Sequence, residues 1–112
     1  MFRKRYTKRE GTFMTLRSFR DIVVGFKIEH GKIRELNEIR RFRPYDIPDD
    51  KWGNRALYDA TREILFSSGP DGKYSYNLDA PANKDNIYLD CTKHTGEQTL
   101  ETGTLTEEMR RR

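Results

Sequence analysis

The chain has 112 residues, 34% of them hydrophobic and 36% charged, with a net charge of +4; that leaves room for one domain with a small core and excludes two. Its longest apolar run, Ile22-Val23-Val24, excludes a helix with the roughly 20 apolar residues needed to cross a bilayer, and no apolar segment follows the basic start as a secretory signal requires. A single cysteine, Cys91, excludes an intramolecular disulfide framework and fits an intracellular setting, the cytoplasm or an organelle matrix.

Residues 1–12 show no periodicity and read as an exposed basic arm, with order beginning near Phe13. The charge is concentrated there. Residues 1–20 hold seven basic side chains, Arg3, Lys4, Arg5, Lys8, Arg9, Arg17 and Arg20, against the single acid Glu10, whereas residues 21–112 hold fifteen basic and seventeen acidic groups. The same stretch has the composition of an organelle presequence, with Phe2, Phe13, Leu16 and Phe19 as apolar partners.

Residues 13–94 read as the folded domain. In 22–29, alternation of Val24, Phe26 and Ile28 predicts a half-buried strand, and His30-Gly31 a two-residue turn with Gly31 free to take positive φ. From Lys32 the pattern is ambiguous: Ile33, Leu36, Ile39 and Phe42 recur every third residue, so 32–42 is either helix or returning strand, ended by Pro44. Asp49 or Asp50 caps a predicted helix over 51–66, on which Trp52, Ala56, Ala60 and Ile64 fall at spacing four, with Leu57 and Leu65 widening the stripe. Asp71-Gly72 is a turn signal; KYSYNLD after it and NIYLDCTK, with Ile87, Leu89 and Cys91 alternating, predict a second hairpin. Residues 95–112 read as a polar tail, frayed or ending in a short helix. The fold class expected is α+β: two hairpins, or a hairpin and a strand–helix unit, packed on one amphipathic helix, with the basic arm and polar tail outside.

The basic residues carry the functional reading. Mobile lysines and arginines neutralise phosphates and release counterions, and Tyr6 and Phe13 among them are placed to stack on unpaired bases. Arg34, Arg40, Arg41 and Arg43 form a second cluster that would extend the surface. Tyr74, Tyr76 and Tyr88 on paired strands suggest either a stacking platform or a tyrosine set packed on the helix. Cys91 and His94, with Asp90 beside them and His30 elsewhere, are too few for a structural zinc site, and His94 alone is a weak activator for a cysteine nucleophile. Pro48-Asp49 and Asp71-Gly72-Lys73 resemble the acidic motifs of restriction-type nucleases, whose paired carboxylates hold Mg²⁺, although both also read as cap and turn chemistry. The segment from Gly69 to Lys73 lacks the spacing of a phosphate loop. The expectation is a non-catalytic nucleic-acid-binding or ribonucleoprotein accessory protein with no cofactor. Its partner is nucleic acid or an acidic protein surface. The alternatives are a protein-interaction subunit of an organelle complex or virus particle, and a small metal-dependent nuclease.

Overall fold

Thr7 sets the first element. In the computed structural model, which describes residues 6–41, 46–74, 85–93 and 101–112, its hydroxyl accepts a hydrogen bond from the Glu10 amide at 3.1 Å and donates to the Glu10 carboxylate at 3.1 Å. This Thr-x-x-Glu arrangement satisfies an orphan amide of the first turn. Helix α1 then runs Lys8–His30. Lys8–Thr12, expected in the arm, therefore belong to an ordered helix, and the fully buried Thr12 belongs to the interior.

The strand expected over 22–29 is the second half of α1. An eight-residue window shows Val24, Phe26 and Ile28 alternating, but the buried set Thr12, Leu16, Phe19, Val23 and Val24 recurs at helical spacing. Ile28, which a strand would bury, is 72% exposed. Packing of the long stripe outweighs the modest helix penalty of the β-branched residues. Gly31 does take positive φ, at 86°, but as the helix C-cap, with its amide donating to the Lys27 carbonyl at 2.9 Å.

Beyond Gly31 the chain carries Ile33, Leu36 and Ile39 into the core. Only one helical turn forms, α2 over Asn37–Arg40, so 32–42 realises part of its helical alternative; Phe42 and Pro44 lie outside the described residues. The Lys51 amide then donates to Thr12 Oγ1 at 3.0 Å. The connection from Gly31 to Lys51 thus brings the chain back to the N-terminal end of α1, a distance of about 29 Å along the helix.

The helix expected over 51–66 does not form. Asp50 is a capping residue, but its carboxylate accepts from the Trp52 and Asn54 amides and from Ser67 Oγ at 3.0, 2.8 and 2.7 Å, closing a turn in which Gly53 sits at φ 88°. Leu57–Asp59 (β1) and Ile64–Ser67 (β2) then pair antiparallel, Leu57 opposite Phe66 and Asp59 opposite Ile64. The spacing of Trp52, Ala56, Ala60 and Ile64 imitates a helix across what is a loop and a hairpin. All four residues of β2 are buried, as expected of a central strand covered on both faces.

Ile87–Asp90 (β3) completes a three-stranded antiparallel sheet in the order β1-β2-β3. The strand expected at NIYLDCTK is therefore present, with Ile87, Leu89 and Cys91 all turned into the core shared with α1. It pairs with β2; most of the segment expected to form its hairpin partner, 75–84, lies outside the described residues. Lys27 ties α1 to the sheet end, its ammonium 2.7 Å from Glu63 Oε1 and 3.0 Å from the Cys91 carbonyl. The fold is α+β, as composition and pattern implied.

The described part of the C-terminal segment is not a loose tail. Gly103 passes the free edge of β3, where its carbonyl accepts from the Tyr88 amide at 2.8 Å. A Cβ on Gly103 would come within 2.8 Å of Ile87 Cγ2, so only glycine fits this approach. Helix α3, Glu107–Arg110, then lays Met109 with Leu105 on Ile64, Phe66 and Tyr88, a second small core on the sheet face opposite α1. Two bidentate ion pairs help to hold the segment down, beside a longer one between Lys93 and Glu108 at 3.4 Å. Arg20 on α1, fully buried, binds Glu101 through both terminal nitrogens, at 2.5 and 2.7 Å; Arg112 binds Asp90 likewise, both bonds at 2.7 Å.

Burial alone would raise the Asp90 carboxyl, but hydrogen bonds from Arg112 and Thr92 more than reverse this and lower it from 3.8 to about 2. The unfolded chain therefore takes up a proton between those values that the folded chain does not. This stabilisation, about 2 kcal/mol, is complete above pH ~5 and is lost progressively as the pH falls towards 2. Urea titrations at pH ~5 and ~2.5 check it: Asp90→Asn should cost much more stability at the higher pH than at the lower.

Candidate nucleic-acid interface

Of the basic residues singled out in the sequence, Arg3, Lys4, Arg5 and Arg43 lie outside the described residues. Lys8 and Arg9 are exposed in the first turn of α1, and Arg17 is half-buried on the same helix. Arg20 leaves the set, because its guanidinium is buried and committed to Glu101. Arg34, Arg40 and Arg41 are exposed on the returning connection, Arg40 3.8 Å from Asp46. With Lys32, Arg34 lines a shallow depression of about 450 Å³ beside Ala60 and Thr61. Lys32 follows the C-cap Gly31, so this depression lies near the C-terminal end of α1 and apart from Lys8 and Arg9.

At the other end of α1 a groove of about 460 Å³ is lined by Tyr6, Thr7, Lys8, Gly11, Met14, Thr15 and Lys51. Among the described residues the lining includes two cations, Lys8 and Lys51, and no acid, the Glu10 carboxylate lying behind Thr7 at 3.1 Å from its hydroxyl. Lys51 is the residue sequence reasoning missed as a site residue: the 51–66 helix reading placed it elsewhere, and only the Thr12 hydrogen bond brings it here. Its stem lies across Gly11, where an added Cβ would stand 3.3 Å from Lys51 Cγ and 3.1 Å from Cε. A side chain at Gly11 would push this flexible lysine stem outward by a few tenths of an ångström. The partial positive charge of the helix start adds to that of the two ammonium groups.

The aromatic residues divide. Tyr6 is 50% exposed at the groove, whereas Phe13 packs against the main core and close to Gly103, so the expected Tyr6–Phe13 stacking pair is reduced to Tyr6. On the sheet, Tyr88 is buried and stacks on Phe66 with centroids 5.7 Å apart, and Tyr74 meets the same ring edge-on at 5.9 Å. Met109 packs into this cluster, so Tyr88 presents no open stacking face; Tyr76 lies outside the described residues.

The remaining constellations resolve into structure. Cys91 is fully buried, and burial pushes its thiol up to about 12, far from a reactive thiolate; His94 is outside the described residues. Asp71 accepts from the Lys73 amide at 2.9 Å in an Asx turn, and Asp49 bridges to Arg55 in the backbone. Among the described residues no three His, Cys, Asp or Glu side chains are gathered to hold a metal, and no helix is long and apolar enough to cross a membrane. Comparison with protein-family models, with curated proteins and with solved structures finds no match to this chain.

Proposed function

We propose that this is a non-catalytic nucleic-acid-binding protein that holds a strand at the N-terminal end of α1, with Lys8, Arg9 and Lys51 on its phosphates. One observation carries the reading: Lys8 and Lys51, forty-three positions apart in the chain, line one groove. Arg3, Lys4 and Arg5 precede Tyr6 in the sequence. Arg34, Arg40 and Arg41 extend the reach of a longer strand towards the other end of α1.

A salt titration of oligonucleotide binding tests the proposal. Each neutralised phosphate contributes about 0.7 for single strands or 0.9 for duplex to the slope of log affinity against log salt, so three contacts give a slope of about −2 to −3. A flat dependence, or binding to an acidic protein but to no oligonucleotide, would sink it.

A further inference from the structure

Resting on that reading, we infer that the groove selects unpaired nucleic acid: a single base lies against Tyr6 and Met14 while Lys8 and Lys51 take the flanking phosphates. Exposed large apolar side chains are few among the described residues, yet two of them, Tyr6 at 50% and Met14 at 47%, converge on this one groove. A phosphate backbone needs only the lysines. An apolar wall between two cations matches a ligand that alternates a flat ring with a charge, which a single strand presents and a duplex keeps inside its stack. Tyr6 brings a half-exposed aromatic ring to the groove, and the Met14 thioether is a polarisable, adaptable contact beside it.

Fluorescence anisotropy with oligouridine, oligodeoxythymidine and a DNA duplex of the same length provides the test. Both single strands should bind about tenfold or more tightly than the duplex. Tyr6→Ala should lose about tenfold on the single strands and nothing on the duplex, and Tyr6→Phe, which keeps the ring, should retain wild-type affinity. Circular dichroism should show both variants folded, since Tyr6 lies outside α1. Equal affinity for the two single strands assigns recognition to base and phosphate; a preference for oligouridine adds a 2′-hydroxyl contact, and either supports the inference. Duplex bound as tightly as single strands, or single-strand binding unmoved by Tyr6→Ala, overturns the inference while leaving salt-dependent phosphate binding intact. Binding of none of the three overturns both.

Discussion

Glu101→Ala should destabilise the fold by about 3–5 kcal/mol, because it removes the carboxylate that meets both terminal nitrogens of the buried Arg20 guanidinium. Arg20 is fully buried and its two terminal nitrogens both meet the Glu101 carboxylate; breaking one side of such a pair costs far more than its net contribution. A domain of this size has about 5–15 kcal/mol in total, so the single variant should lose a large share of it. Replacing both partners with apolar residues of similar volume, Arg20→Met with Glu101→Leu, should recover most of the loss, since the desolvation of two charges is removed together with their attraction. Urea unfolding of the two variants and the wild type decides the matter. A Glu101→Ala protein within about 1 kcal/mol of wild type would mean that the pair is hydrated and the C-terminal segment is held elsewhere.

That pair also explains why the C-terminal segment was hard to read. The stretch around Glu101 looks too polar to bury, yet its acid answers a basic residue 81 positions earlier, and no local pattern encodes such a match. Leu105 and Met109 are only two apolar residues, but both pack on the sheet face opposite α1. Where alternation was local and set one row of apolar side chains on the α1 face, as at Ile87, Leu89 and Cys91, the sequence was legible. It misled in two places. Across 22–29 a short alternating run hid inside a longer helical stripe, and across 51–66 a loop and a hairpin placed apolar residues four apart by coincidence.

The candidate site was legible in its charge and obscure in its geometry. Lys8, Arg9 and Tyr6 stand out in any reading of the first residues, but Arg20 stood out equally and is a core residue. Lys51 carried no signal, since its place beside Lys8 depends on the backbone bond to Thr12. Binding and folding meet at the same residues: Thr12 is buried and anchors Lys51, so phosphate contact separates from stability through surface lysines rather than through removal of residues 1–12.

Charge reversal of the two groove lysines is the variant that exploits this separation. Lys8→Glu places an acid in the first turn of α1, where the helix dipole favours it, and Lys51→Glu leaves the backbone donor to Thr12 in place. The double variant should therefore fold with a thermal midpoint close to that of the wild type. Its affinity for a single-stranded oligonucleotide should fall more than tenfold at roughly 0.1 M salt, because two phosphate contacts are lost and two repulsions gained, and the slope of log affinity against log salt should shrink by about 1.4 or more. Equilibrium binding of oligouridine to the folded double variant is the direct measurement: a large loss of affinity with a shallower salt slope supports a strand held at the start of α1, and wild-type affinity in that variant would contradict it.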